Sequence, residues 1–281
     1  MKVIRSIFQM QEERIEIKKK NLSIGFVPTM GYLHEGHLSL IKKSKEENDI
    51  TIVSIFVNPT QFGPSEDFNK YPRDEKRDLQ KCEENSCDIV FLPKKNEMYP
   101  QYFFTFVEVE KLGEKLCGKS RPTHFRGVTT VLTKLFHIIR PDRAYFGQKD
   151  AQQLLIVKKM VEDLNMEIEI IGCPIIREED GLAISSRNVY LKENERKDAI
   201  LLYQSLKQAE ELIKKGEKDP LRIKEEMKKT ILSGKNNQID YIEFVDTKTL
   251  DPVSKIKGET LIAIAVKTGT TRLIDNIIVK E

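Results

Sequence analysis

The stretch Pro28-Thr29-Met30-Gly31-Tyr32-Leu33-His34-Glu35-Gly36-His37 decides how this chain folds. The apolar run Leu22-Ser23-Ile24-Gly25-Phe26-Val27 leads into it, and an amphipathic run starting Leu38-Ser39-Leu40-Ile41 follows it. The pattern predicts a strand, a glycine-punctuated turn and a helix. His34 and His37 stand three residues apart at the helix entrance, a spacing that places both on one face of a turn. Backbone N–H groups at a helix start lack intrahelical acceptors and favour anionic oxygens such as those of phosphate. Two imidazoles there can donate further hydrogen bonds to charge growing on a phosphate. The chain has only four histidines and spends two of them in this turn.

Outward from that turn, residues 1–173 alternate in a βα rhythm. Strands are predicted over 22–27, 51–57, 88–92, 144–147 and 167–172, and helices over 38–47, 74–84, 128–139 and 151–164. Such alternation implies a mostly parallel sheet covered on both faces. Ligands of such sheets sit beyond the carboxyl ends of the strands, and the polar motifs fall there, after Val27, Val57 and Phe146. Cys173-Pro174 marks a domain boundary. Past it come two helices, 193–215 and 220–232, and then three strands, 239–245, 260–266 and 273–279. The expected fold is α/β: a Rossmann-like, mostly parallel N-terminal domain over 1–174 and a smaller α+β domain over 175–281.

Composition narrows the function. Of 281 residues, 39% are hydrophobic, enough for real cores. Lys+Arg 47 nearly cancel Asp+Glu 44, and a net charge of +3 without a basic, aromatic-rich region points away from nucleic acid. No apolar window approaches the length of a membrane span, and the N-terminus lacks the apolar core of a secretion signal, so a cytoplasmic protein is expected. Cys82, Cys87, Cys117 and Cys173 fit neither a zinc pair nor a dense disulfide framework, so free thiols are expected.

Other segments carry chemistry of lower specificity. In Val57-Asn58-Pro59-Thr60-Gln61-Phe62-Gly63 a strand ends in a turn, and the Gln61 amide can hold a small ligand bearing hydroxyl and carboxylate groups. The plain alternative is a simple turn. In Phe146-Gly147-Gln148-Lys149-Asp150, Gly147 permits close backbone approach, Lys149 brings a point charge to a helix entrance, and Asp150 is expected as its N-cap. A capped turn with a solvated lysine is the alternative. Ile184-Ser185-Ser186-Arg187 offers two hydroxyls and a guanidinium, a set that can wrap a triphosphate, although serine-rich loops are common. Arg121-Pro122-Thr123-His124-Phe125-Arg126-Gly127 either closes on a substrate or caps the next helix. Zinc would require further ligands beside His34, Glu35 and His37.

Taken in order, these segments resemble the pantothenate synthetase (pantoate–β-alanine ligase) family. The carriers are PTMGYLHEGHLSLI from Pro28, VNPTQFG from Val57, YPRD from Tyr71, RPTHFRGV from Arg121, RPDRAYFGQKDAQQL from Arg140 and REEDGLAISSRNVYL from Arg177. HxGH alone indicates only the broader nucleotidyltransferase superfamily, and the glutamine-bearing segments narrow the match. The resemblance implies two half-reactions: ATP and (R)-pantoate give a pantoyl-adenylate and pyrophosphate, then β-alanine gives pantothenate and AMP. It implies catalytic roles for His34, His37, Lys149 and Arg187, with His37 a proton donor. It implies an ATP site of Met30, Gly31, His34, His37, Gly147, Gln148, Lys149, Asp150, Ile176, Ile184, Ser185, Ser186 and Arg187. Gln61 and Gln153 would hold pantoate, with Gln61 also touching β-alanine. Mg²⁺, a homodimer and a C-terminal lid are implied as well. Two departures stand out: Ile184 replaces the more usual Met, and Arg77-Asp78 replaces an acidic pair, leaving Asp78 as the carboxylate that could be linked to the metal.

Overall fold

In the computed structural model, which describes residues 1–64 and 66–280, six strands carry the N-terminal part of the chain. They are β1 (Lys2–Ile4), β2 (Ile24–Thr29), β3 (Ile50–Ile55), β4 (Ile89–Phe91), β5 (Arg143–Gly147) and β6 (Glu169–Cys173). Every pairing between them is parallel, in the order β1-β4-β3-β2-β5-β6. The connecting helices are α1 (Ile7–Lys19), α2 (Glu35–Glu47), α3 (Glu75–Glu84), α4 (Lys95–Met98), α5 (Cys117–Ser120), α6 (His124–Ile139) and α7 (Ala151–Asp163). The C-terminal part holds α8 (Glu193–Lys214), α9 (Pro220–Leu232) and an antiparallel sheet, β7 (Asn237–Asp246), β8 (Glu259–Thr268) and β9 (Thr271–Lys280).

The chain divides into two compact units. The first comprises Met1–Glu114, Gly118–Gln148 and Gln152–Pro174, and the second Lys115–Cys117, Lys149–Ala151 and the residues from Ile175 on. In the first unit the two-residue period of β2 sends Phe26 and Val27 to opposite faces. Phe26 joins a core with Met10, Phe136, Ile139 and Met160, while Val27 joins Leu38, Ile41, Val53 and Tyr145. In the second unit Leu202, Leu206, Ile223 and Met227 of the helices pack with Ile242, Phe244, Ile262 and Ile264 of the sheet. No disulfide joins the four buried cysteines. No helix among the described residues is long and apolar enough to cross a membrane.

Strand order in the first unit reverses at β2. The chain runs outward from β2 through β3 and β4 on one side and through β5 and β6 on the other. A crevice opens at such a switch point. Its opening is visible in the ladder: β2 pairs with β3 as far as Thr29, but with β5 only at Gly25 and Phe26. The carbonyl of Ile24 accepts from Asp142 beside β5, and that of Thr29 accepts from Phe56 after β3. By alternation Pro28 faces β5, where it has no N–H to offer. The two strands therefore part just below the His34–His37 turn.

Several elements differ from the sequence pattern. β1 and α1 lie outside the predicted set, because β1 has three residues and α1 fully buries only Met10 and Ile17 of its thirteen. α6 starts at His124 rather than 128, taking Gly127 into its interior. Asp150 is not an N-cap: residues Gln148–Asp150 form a 3-10 turn that runs directly into α7. Such a turn tightens the first helical residues through i to i+3 bonds and leaves no cap position there.

Candidate active site

The turn between β2 and α2 is built around a buried carboxylate. Gly31 and Tyr32 both adopt left-handed backbone conformations, with φ of 84° and 52°. Successive amides in such a turn converge to form an anion-binding concavity. Asp78 of α3 fills it: Oδ2 accepts from the Tyr32 N–H and Oδ1 from the Leu33 N–H, both at 2.7 Å. A Cβ at position 31 would lie 2.9 Å from Asp78 Oδ2, a second reason besides φ for glycine there. The neighbouring Arg77 guanidinium lies 4.7 Å over the Tyr32 ring. Burial pushes the Asp78 carboxyl above its ordinary range, while the two amides pull it back. The turn's amides are thus committed to Asp78 rather than to an incoming phosphate.

That turn sets the histidines. His34 is the N-cap of α2 and His37 its third residue. The His34 N–H donates to His37 Nδ1 at 3.4 Å, and the two rings lie 4.0 Å apart at 34°. An accepting Nδ1 is unprotonated, so the neutral His37 ring carries its proton on Nε2 and presents that atom as a donor. Gly36 admits the His34 ring, since a Cβ there would sit 3.0 Å from its Cε1.

A second group stands after β3. Asn58 is buried and joins the segment at several points. Its Nδ2 donates to Gln61 Oε1 at 3.0 Å and to the Gly127 carbonyl at 3.1 Å, and its Oδ1 accepts from Tyr99 OH at 2.8 Å. Gln61 Nε2 donates to Met30 Sδ at 3.2 Å, a weak acceptor that a better one can displace. The Gln61 carbonyl meets His124 Nδ1 at 2.9 Å and Arg121 Nη2 at 3.3 Å. Arg121 forks Glu66 with two bonds of 2.7 Å. Burial alone would raise the Glu66 carboxyl, but the Arg121 fork and nearby His124 hold it below its ordinary value. Gly127 lets α6 touch this segment, because a Cβ would come within 2.4 Å of the Thr60 carbonyl oxygen. Arg121 and His124, ambiguous in sequence, therefore support the Gln61 backbone.

The remaining expected residues fall in both units. Gly147 ends β5 and Gln148 follows it, both in the first unit, and Gln153 is half-buried on α7. Lys149 and Asp150 belong to the second unit, as do Ile176 and Ile184–Arg187. Within that unit the Ile184 N–H donates to the Ile176 carbonyl at 3.0 Å, and Ser185 Oγ accepts from the Arg187 N–H at 3.3 Å. Asn188 donates to the Ala183 carbonyl at 3.1 Å. The sequence reading missed Asp78 as the turn's anchor, Asn58, Gly127 and Glu66. Their signals were a carboxylate without an obvious partner, a turn asparagine and a glycine inside an apolar helical period.

Asp78, which the family resemblance links to the metal, has each of its oxygens accepting one backbone N–H. Among the described residues no group of three His, Cys, Asp or Glu side chains is placed to hold a metal ion.

A parallel α/β sheet whose polar turns gather at its switch point defines a class of α/β protein that binds its ligands beyond the carboxyl ends of the strands. The chain belongs to the pantoate–β-alanine ligase family, whose sequence model matches residues 2–278. A pantothenate synthetase of Caldicellulosiruptor bescii is 58% identical over 280 residues, covering 100% of this chain and 99% of that protein. One from Acetivibrio thermocellus is 60% identical over 282 residues, covering 100% of both. Among solved structures, the Thermus thermophilus pantothenate synthetase superposes with a TM-score of 0.94 at 41% identity, covering 99% of each chain. A Francisella tularensis pantoate–β-alanine ligase, complexed with beta-gamma ATP and β-alanine, gives 0.83 at 36% identity, covering 99% of this chain and 97% of that one.

Asp78→Asn keeps the shape but turns an N–H donor toward a backbone N–H. It is expected to lower the unfolding free energy by about 1–3 kcal/mol, the cost of a buried unsatisfied donor. Urea unfolding measures this, and an unchanged midpoint at unchanged slope would remove Asp78 as the anchor of the turn.

Proposed function

We propose that this chain joins (R)-pantoate to β-alanine through a pantoyl-adenylate, consuming ATP and releasing pyrophosphate and AMP. The observation that carries the reading is the His34–His37 pair at the start of α2, on the sheet's switch point, in a chain that matches the ligase family from residue 2 to residue 278. The Francisella tularensis relative, complexed with beta-gamma ATP and β-alanine, supports the choice of nucleotide and amine.

In the first half-reaction a pantoate carboxylate oxygen attacks the α-phosphorus, and the bond to the β-phosphate oxygen breaks with its electron pair leaving on pyrophosphate. Such a step requires alignment and neutralisation of charge more than covalent help. His37 Nε2–H and His34 donate to phosphate oxygens as their charge grows, while Lys149 and Arg187 balance the departing pyrophosphate. Met30, Gly31, Gly147, Gln148, Asp150, Ile176, Ile184, Ser185 and Ser186 line the nucleotide. Ile184 in place of Met keeps volume against the base. Gln61 and Gln153 hold pantoate. In the second half-reaction the β-alanine nitrogen attacks the acyl carbon, the bond to AMP breaks, and the amine loses a proton. Gln61 also meets the amine substrate. We assign to the second unit the exclusion of water from the acyl-adenylate.

Mg²⁺ enters as part of the nucleotide substrate. We also assign the working form to a homodimer, which the family resemblance implies. Tyr102 and Phe104 of the first unit, 75% and 81% exposed, leave apolar surface that a second copy can cover.

Three measurements test this reading. AMP should form from ATP, Mg²⁺ and (R)-pantoate only when β-alanine is present, in step with pantothenate, and AMP formed equally without the amine would overturn the ligase reading. His37→Ala should lower turnover by about 10²–10³, the scale of one lost preorganised donor, with the fold intact by circular dichroism. Turnover like that of the parent would take His37 out of the mechanism. Sedimentation equilibrium should give the mass of two chains, and the mass of one chain at micromolar concentration would rule the dimer out.

A further inference from the structure

We propose that Asp275 and Asn276 of β9 are positioning residues for the adenylation step, Asp275 holding the base of the Ile184–Arg187 segment and Asn276 holding Lys149. All the residues involved belong to the second unit. Consecutive side chains on a strand leave on opposite faces. Asp275 shares its face with Leu273 and Val279, members of the apolar core of this unit. Asn276 lies on the other face. Both are 3% exposed. A carboxylate and an amide so deeply placed need partners, and each finds one on a different segment.

Asp275 is forked by Arg177, with Nη1 to Oδ2 at 2.6 Å and Nη2 to Oδ1 at 2.9 Å. The same Arg177 Nη1 donates to the Gly181 carbonyl at 3.0 Å, and the guanidinium lies 4.0 Å over the Tyr203 ring. Gly181 has a φ of 93°, and a Cβ there would fall 2.1 Å from Tyr203 Cδ1, so the loop passes the ring only as glycine. Arg177 pairs through its backbone with Ala183, the residue before Ile184. The fork therefore fixes the root from which Ile184, Ser185, Ser186 and Arg187 extend. A planar, bidentate pair stacked on an aromatic ring has little rotational freedom.

Asn276 Nδ2 donates to the Lys149 carbonyl at 2.9 Å, across 127 positions of sequence. Its backbone N–H donates to Asp275 Oδ1 at 2.8 Å, which ties the two grips together. Lys149 stands in the 3-10 turn Gln148–Asp150, where fixing one carbonyl fixes the peptide plane after it. One dipeptide of β9 thus secures both segments that carry the proposed cationic groups, Lys149 and Arg187. No motif beyond Leu191 is otherwise absorbed by the site.

The inference rests on the adenylation reading, and its test separates the two. Lys149 would act on a triphosphate, which is present when the adenylate forms and absent when the amine attacks it. In full-length Asn276→Ala and Asn276→Asp, pantoate-dependent exchange of labelled pyrophosphate into ATP reports the first half-reaction. Single-turnover attack of β-alanine on supplied pantoyl-adenylate reports the second. The first should fall by about three- to tenfold, the range spanned by one net hydrogen bond, and more for Asp, whose carboxylate opposes the Lys149 carbonyl. The second should stay within about twofold of the parent. Taking the ratio within one preparation cancels any change in folded fraction. Both rates falling together, or neither falling, would overturn the positioning role while the adenylation reading stands. A parent protein without pantoate-dependent exchange would overturn the adenylation reading, and this inference with it.

Discussion

The site depends first on a carboxylate filling a turn that L-residues resist. Two consecutive residues at positive φ, one of them Tyr32, do not persist without support. Asp78 supplies it through two 2.7 Å bonds, and Arg77 covers the ring of the strained tyrosine. Both come from the first turns of α3, so helix placement and turn geometry are one constraint. Only with Leu33 turned inward, where it is fully buried, does His34 reach the N-cap of α2 and His37 its third position. The proton on His37 Nε2 follows from the same geometry, because the His34 amide can reach Nδ1 only across this turn.

Positioning by satisfied polar groups recurs elsewhere. Asn58 serves Gln61, the Gly127 carbonyl and Tyr99 at once, and the Gln61 carbonyl is met by both Arg121 and His124. The Asp275–Arg177 fork does the same for the second unit. In each case a buried network leaves its anchored residue few rotamers, which is what a geometry-sensitive reaction requires. Glycine appears where this closeness would otherwise be blocked. Gly127 admits α6 to the Thr60 carbonyl, and Gly181 admits its loop to Tyr203.

Much of this was legible in sequence, for a physical reason. Strands with strong apolar runs and helices with a clear period keep their identity whatever they pack against, so β2 to β9 and α7 to α9 fall near their predicted places. The HxGH turn and the glutamine-bearing segments were legible because glycine, proline and histidine are informative at strand ends. What was not legible depends on contacts distant in sequence. Asp78 lies 46 residues from Tyr32, and Asn276 lies 127 from Lys149. α1 and the early start of α6 were hidden for the same cause, since a mostly polar helix and a helical Gly127 make sense only against their neighbours. Local pattern reports the elements, and long-range hydrogen bonds decide which polar residues become anchors.

The anchoring of the turn also constrains how an anion can be held. In glycine-rich phosphate loops, backbone amides themselves cradle the oxygens. Here Asp78 occupies the amides of Tyr32 and Leu33, and His37 occupies that of His34. A carboxylate buried beneath the turn also adds negative potential where a phosphate would approach. Affinity for a polyphosphate must then come from side chains and the first-turn amides of α2, against that opposing charge. Two imidazoles, a lysine and an arginine supply it in the proposed site. Lys149 and Arg187 belong to segments whose own anchor is the Asp275–Asn276 pair. The chain thus builds a rigid turn on one buried carboxylate and, within its other unit, roots the Ile184–Arg187 segment on a second, while the neighbouring Asn276 amide holds Lys149.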